Sequence, residues 1–429
     1  MSNASQHRLK SAKQRKGEIA RQFKSVVAGS NEHTELLASM RAITDEIKGL
    51  ELQLAAAVAQ PSATVASTAL ASAPVYTIDP NKRWCKPFDM RELAQSEMPL
   101  WDAFLQNQEG LSVYCRPIWR RLIGDVFGHE HGVFAALSAE GDILGGIPLV
   151  YFNSRLFGRF AVSLPYFNYG GVIAHWFDVA ATLVDGVGQL CGGRDLAHIE
   201  VRTLQPALGV NVSCKKVSMI LALPKTLEGL DEQLGAKVRA QYKKALSYSP
   251  EFKLGKVELL NDFYQVFAEN MRDLGTPVYS KKWFAAILHA PEIDAHLALV
   301  YMAGKPVSAG FLVGHNGMLE IPWASTLKSA NIKNANMWMY RQILGYAIAQ
   351  GFGFFDFGRS TKDAGTYKFK KQWGAEPVEH YWYYALPPGG QMPGLNPDNP
   401  KFKLVIAIWQ RLPVWLTKLI GPAIIRHVP

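Results

Sequence analysis

The sequence predicts a mixed α/β (α+β) protein with largely antiparallel sheets, built as two similar halves behind an N-terminal helical extension. Three observations carry this. Short apolar runs alternate with helical periodicity from Trp84 onward. Strand pairs joined by tight turns occur twice, at 131–154 and 296–314. Each pair is followed by further strands and a helix, a duplication of pattern rather than of sequence.

The first 25 residues hold seven basic side chains and one acid, Glu18. Leu36, Met40, Ile43, Ile47, Leu50 and Leu54 then recur at spacings of 4, 3, 4, 3 and 4, the a/d rhythm of nearly three heptads, weakened by Gly49. That stretch fits an amphipathic helix packed on the protein's own body, or a coiled coil that makes a dimer. From Ala55 to about Pro80 the chain is rich in Ala, Ser, Thr and Val, with Pro61 and Pro74, and reads as a linker. Residues 131–154 predict two strands around Glu140-Gly141-Asp142; 178–191 read as helix and 197–203 as strand. In the second half, strands are expected at 296–304, 306–314, 318–325 and 354–358, and a helix from about Asn336 to Gln350. This divides the chain at 1–80, 81–222, 223–395 and 396–429.

At roughly 150 residues per domain, 429 residues make two to three domains. With 48% hydrophobic and 19% charged residues, a disordered chain, a collagen and a coiled-coil rod are excluded as descriptions of the whole. The net charge of +10 favours anionic partners without choosing among them. Four cysteines far apart (Cys85, Cys115, Cys191, Cys214) read as free thiols in a reducing compartment. The polar, basic start is unlike a signal peptide, and no run approaches the roughly 18 apolar residues of a membrane span, so a cytoplasmic protein is expected.

No phosphate-binding loop, dinucleotide turn, nucleophile elbow or H-E-x-x-H run occurs. His129-Glu130-His131 reads as a surface turn, and no metal site is expected. Gln342 to Ala347 fits Q-x-x-G-x-A, a pyrophosphate-binding pattern, but falls in the middle of a predicted helix where no free N–H groups point outward. The densest chemistry is FGFFDFGRSTKDAGTYKFKKQWG (352–374): an aromatic strand ending in Asp356, then Arg359, Ser360, and a glycine-broken loop leading to Tyr367, Lys370 and Trp373. Such a cluster suits an anionic donor or an oxyanion; it equally suits an Asp356–Arg359 ion pair bracing a turn.

The stretch FDFGRST…GTYKFKKQWGA resembles the C-terminal signature of the FemAB-related, BioF2-like (CelD/BcsL-type) acyltransferases, in particular the branch associated with exosortase/PEP-CTERM systems and exopolysaccharide clusters. SRLFG (154–158), SLPYFNYGG (163–171), IEVR (199–202), MRDLGTPVYS (271–280), and MLEIPWAS (318–325) with Asn336 and Tyr340 agree, from about Trp84 to Tyr384 and again at 412–422. The resemblance implies tandem GNAT-like domains with a substrate channel between them, and acyl-CoA as co-substrate, with no bound cofactor. By the same similarity Phe369, Lys370, Trp373 and Gly374 match the F-K-x-x-[FW]-G element, which makes Lys370 the group that steadies negative charge on a tetrahedral intermediate. A variant Lys370→Met would then lose turnover at nearly unchanged stability.

Glu320 is a base or a buried, paired carboxylate; Asn168, Tyr169 and Gly170 offer polar groups with close backbone approach; Arg202, Trp323, Asn336 and Tyr340 join the substrate-binding set through the shared motifs. Arg239 belongs to a basic helix, 237–248, that is either solvated or in contact with a phosphorylated or lipid-linked acceptor. The expected activity is N-acylation of an amino sugar or lipid-linked glycan in exopolysaccharide or cell-envelope assembly, with no DNA partner. An aminoacyl-tRNA-dependent transferase and a non-catalytic binding module are the alternatives; residues 254–294 leave no room for the long helical arm of the tRNA-dependent enzymes. The tail from Asn399 to Pro429 has five basic residues, no acid and many apolar side chains, interrupted at Pro413 and ended at Gly421-Pro422. It fits a helix in an anionic membrane interface, or one packed on the body.

Overall fold

The computed structural model describes residues 73–429 except 155–156, 391 and 394–399, together with 2–23 and several positions up to 46. Met1–Thr68 and Ala69–Pro429 are two compact units. In the first, the helix Ser2–Gln22 is described along its whole length. Ile43 is buried with Ala12, and Met40 and Ile19 pack beside them; Arg15 pairs with Glu46 at 2.7 Å. The first three positions of the heptad rhythm therefore include two that pack within the chain, while Ile47, Leu50 and Leu54 lie outside the described residues. No helix among the described residues is long and apolar enough to cross a membrane.

The strands of the larger unit are β1 (Asp89–Glu92), β2 (Glu130–Leu137), β3 (Ile143–Ser154), β4 (Gly158–Val162), β5 (Ile173–Ala174), β6 (Ile199–Thr203), β7 (Val212–Ser213) and β8 (Lys216–Ala222). They continue with β9 (Glu251–Gly255), β10 (Asp294–Met302), β11 (Lys305–His315), β12 (Met318–Thr326), β13 (Phe354–Thr361), β14 (Glu376–Glu379) and β15 (Tyr381–Ala385). Two mixed sheets result, ordered β1-β2-β3-β4-β6-β15-β7, with β5 on β3, and β14-β8-β13-β12-β11-β10-β9. Both expected hairpins form, β2–β3 and β10–β11. The turn of the first uses Gly141 at φ +92°, a conformation that costs glycine least.

Each sheet has one parallel pair among the described strands, β4–β6 and β12–β13; the other ladders are antiparallel. Two strands cross the expected division. β8, which the boundary at 222 leaves with the first half, bonds only to β13 and β14 of the second sheet. β15, expected in the second half, returns to the first sheet between β6 and β7. The halves are therefore laced together by backbone hydrogen bonds as well as by a shared core, in which Tyr114, Trp119 and Phe152 join Phe263, Trp283 and Phe311. The outer face of the second sheet is covered by the helix Ala335–Ala349, where Ile343, Leu344 and Ala347 bury against Leu319, Ile321 and Phe355.

Three further expectations are corrected or refined. The 178–191 helix is two helices, Phe177–Gly186 and Gln189–Arg194. His129-Glu130-His131 is not a surface turn: His129 is buried, bonded through Nε2 to the Tyr166 hydroxyl and the Arg426 carbonyl, both at 2.8 Å, and Glu130 opens β2. Gly421-Pro422 does not end the tail. Pro413 caps a helix, Val414–Ile425, that runs through Pro422. Gly421 permits this, because a Cβ there would lie 2.9 Å from the Val278 nitrogen; the bare backbone lets the helix seat directly on the body.

Candidate active site

The second sheet opens where its parallel pair ends. β12 and β13 are in register at Met318–Phe354, Leu319–Phe355 and Glu320–Asp356. Beyond that rung they part: β12 stays with β11 as far as Thr326, and β13 stays with β8 as far as Thr361. Gly358, at φ +75°, makes the bulge that turns β13 away, and a Cβ there would crowd the Ile321 carbonyl at 3.2 Å.

Alternation along β12 puts Leu319 and Ile321 into the helix-covered core and sends Glu320 to the opposite face, toward the first half. There Tyr114 donates its hydroxyl to Glu320 Oε2 at 2.6 Å and Asn168 Nδ2 reaches Oε1 at 3.4 Å. Glu320 is buried. Burial, and then the Asp356 charge, push its pKa well above the carboxylate range. Asp356 is fully buried; its Oδ1 accepts the Gly358 N–H at 2.7 Å, and its Oδ2 has no described partner. Burial raises its pKa to about 6. Lys370, on the short helix Gly365–Lys371, donates from Nζ to the carbonyls of Gly358 at 2.8 Å and Arg359 at 2.9 Å. Burial lowers its pKa to about 8, against the pull of Asp356 and Glu320.

A second group lies alongside. Arg359 makes no ion pair with Asp356; the only described partner of its guanidinium is the Trp382 ring, 5.4 Å away. Its surface is exposed, but the protein packed around its guanidinium, and then Arg202, lower its pKa to about 10. Arg202 is buried, 4.5 Å from the same ring, and donates to Glu200 Oε1 at 2.5 Å and to the Phe167 carbonyl. His380, buried beneath them, is bonded to Ser218 and held neutral, its pKa depressed to about 3 by burial and then by Arg359 and Arg202.

Of the residues singled out in the sequence, the fold brings Glu320, Asp356, Lys370, Asn168 and Tyr169 into one cluster. Tyr169 is buried edge-on to Tyr114 and His380. Gly170 donates its N–H to the Arg202 carbonyl, placing the NYGG turn against β6. Trp323 lies past the fork among Phe167, Tyr279, Phe284 and Phe311. Ser360 is buried with no described partner for its hydroxyl.

The others are elsewhere. Tyr340 and Trp373 are second-sheet core, packed with Phe357 and Phe369, and Tyr367 lies against that core. Asn336 accepts the Met337 N–H at the start of its own helix. Arg239 closes the end of the Leu227–Gln233 helix by donating to the Asp231 and Leu234 carbonyls. Gln342–Ala347 sits mid-helix as expected. Tyr114, Ser218, His380 and Trp382 went unnoticed because nothing near them in the chain marks them; only the fold gives them partners.

Glu320 and Tyr169 line a narrow space of about 20 Å³ with Pro74, Tyr76 and Val113, room for one water. A larger recess of about 420 Å³ shares Ser112 and His315 with it and includes Arg116 and Arg121.

Residues 235–371 match the acetyltransferase (GNAT) domain family, so the second half carries a GNAT-type acetyltransferase domain. Similar solved structures include FemX, 13% identical over 69% of this chain and 97% of that one, with a TM-score of 0.49. L-PGS from Bacillus licheniformis is 14% identical over 75% of this chain and 99% of that one, TM-score 0.44. A tandem GNAT protein from the clavulanic acid biosynthesis pathway is 10% identical over 72% and 100%, TM-score 0.44. No curated protein gives a significant sequence match.

Proposed function

We propose that the protein is an N-acyltransferase that moves an acyl group from acyl-CoA to the amine of an amino sugar or lipid-linked glycan intermediate in exopolysaccharide or cell-envelope assembly. The observation that carries this reading is the Glu320–Asp356 rung, a buried carboxyl pair at the point where two parallel strands part. Beyond the rung β12 and β13 are unpaired with each other, and since Asp356 and Lys370 occupy the Gly358 N–H and the Gly358 and Arg359 carbonyls, we assign the donor's carbonyl and amide-rich arm to the β12 edge.

The chemistry then needs little more than a base. Glu320 takes a proton from the acceptor ammonium; burial raises its proton affinity above that of an ordinary carboxylate and makes it the stronger base. The freed amine attacks the thioester carbonyl and forms the C–N bond. The oxyanion collapses and the C–S bond breaks as the attacking nitrogen gives up its second proton to the departing CoA thiolate, and Glu320 returns its own proton to solvent. Lys370 has one N–H beyond its two carbonyl bonds and stands near both carboxyls, so its charge can offset the negative charge that develops.

The first half has a parallel pair as well but no open fork, because β4 ends at the rung and Ser163 and Gly171 bond the β6 backbone beyond it. There the last rung of β4–β6 is Val162–Glu200, and Glu200 is neutralised by Arg202. We therefore place the transfer in the second half, with the first supplying Tyr114 and Asn168. Purified protein given a panel of acyl-CoAs and amino sugars should release free CoA; folded protein that releases none with any pair overturns the reading.

A further inference from the structure

The tail is seated on the body by one face only. In the helix Val414–Ile425 the buried residues are Thr417, Gly421 and Ile425, four apart and so on one stripe. Trp415 and Leu419, also four apart, are 67% and 70% exposed. In the preceding helix, Pro400–Trp409, Trp409 is buried while Leu404, Val405 and Ile408 stand in solvent. The underlying Leu260–Leu274 helix holds the tail through Arg272 to the Leu412 carbonyl and through Gln410 to the Asp273 carbonyl; its own last residue, Leu274, is exposed as well. Packing on the body thus accounts for one side of the tail and leaves six large apolar side chains in water, which a soluble surface rarely tolerates in one region.

The charge along the tail sequence has one sign. Lys401, Lys403, Arg411, Lys418 and Arg426 are the tail's charged residues, with no acid from Lys401 to Pro429. The carboxylate of Asp273, next to the tail, is already engaged by Arg272 at 2.7 Å and Lys328 at 3.8 Å. Two copies docking tail to tail would bring these cations together, whereas lipid phosphates would neutralise them. An exposed tryptophan with leucine and isoleucine neighbours suits the boundary between headgroups and acyl chains.

We propose that Trp415 and Leu419, with Leu404, Val405 and Ile408, form a docking face for an anionic membrane surface. This stands apart from the acyl-transfer reading, because lipid binding is read without any turnover.

The test is co-sedimentation of the full chain with vesicles of phosphatidylglycerol and phosphatidylcholine in equal amounts, against phosphatidylcholine alone. Binding should require the anionic lipid and weaken when salt rises from about 0.1 M to about 0.5 M. A Trp415→Ser/Leu419→Ser variant should keep its melting temperature, since both side chains are exposed, and lose binding roughly tenfold or more. A Leu404→Ser/Ile408→Ser variant should weaken it in the same direction. Absent binding overturns the proposal, and so does equal binding by both variants, which would place the contact elsewhere, for example in the basic N-terminus. A dimer of the intact chain that the first variant dissolves in the absence of lipid would make a second copy the occupant and overturn it too.

Discussion

Glu320 and Asp356 occupy the last rung of the parallel β12–β13 ladder, and both are buried. Strands about 4.8 Å apart hold their side chains on one face, so each carboxyl raises the cost of ionising the other. A carboxylate pair in that position is expensive for the fold. Tyr114, Asn168 and Lys370 reduce the expense without removing it, since Asp356 Oδ2 has no described partner.

Stability should record the pair. Asp356 titrates at about 6 in the fold against an ordinary 3.8, so the folded state binds more protons over that interval. Its contribution is favourable at acid pH and is lost as pH rises through about 6. The melting temperature of Asp356→Asn, relative to the parent protein, should therefore climb between about pH 4 and pH 7. A pH-independent difference would mean that Asp356 does not titrate there.

Tyr114→Phe should move a pH–rate profile rather than abolish activity. The hydroxyl donates to Glu320 and lowers its pKa against the larger effect of burial. Without it, Glu320 should hold its proton to still higher pH, and the acidic limb of the kcat profile should shift upward with the plateau little changed. A downward shift contradicts the assignment of Glu320 as base.

Lys370 has a structural duty that the sequence did not reveal. Its ammonium holds the carbonyls of Gly358 and Arg359, so Lys370→Met leaves the buried Gly358 acceptor unsatisfied, at a cost of about 1–3 kcal/mol, and loses a second, part-buried bond to Arg359. The expectation of nearly unchanged stability is replaced by a lower melting temperature together with lower turnover. Urea denaturation of the variant decides between them.

The two arginines should separate cleanly. Arg359 has no carboxylate partner among the described residues, and Arg359→Gln should raise the KM of an anionic substrate with little loss of stability. Arg239 closes a helix end, and Arg239→Gln should destabilise by about 1 kcal/mol while leaving KM alone. Denaturation midpoints and KM measured on the same preparations check both.

What was legible in the chain was local. The hairpins at 131–154 and 296–314, the helix beginning near Asn336 and the strand through Asp356 follow from periodicity and turn residues within about 25 positions of each other. The β12–β13 rung could not be read that way, because pairing depends on a crossover through the Ala335–Ala349 helix. Tyr114 stands 206 residues from Glu320, and no spacing rule connects them. β15 is a strand by its aromatic run, yet its return to the first sheet is decided by which open edge it meets. Tyr367 and Trp373 looked functional because they share the Lys370 segment, and Tyr340 because it belongs to a shared motif; helix and strand geometry make Tyr340 and Trp373 core and pack Tyr367 against it. The supposed Asp356–Arg359 pair failed because the bulge at Gly358 points the two side chains to different partners.

The central claim is that Glu320 is the proton acceptor of an acyl transfer at the β12–β13 fork. It is tested most directly by single-turnover CoA release from the parent protein and from Glu320→Gln, with the same acyl-CoA and amine, across about pH 6 to 9. The variant is near-isosteric and removes a buried ionisable group; its oxygen can accept from Asn168 while its NH2 donates to the Tyr114 hydroxyl oxygen, reversing that contact, so its melting temperature should change little. Its rate at neutral pH should fall roughly 10²–10⁴-fold, recovering toward high pH as the free amine becomes available without a base. A Glu320→Gln protein that releases CoA at the parent rate at pH 7 would contradict the claim.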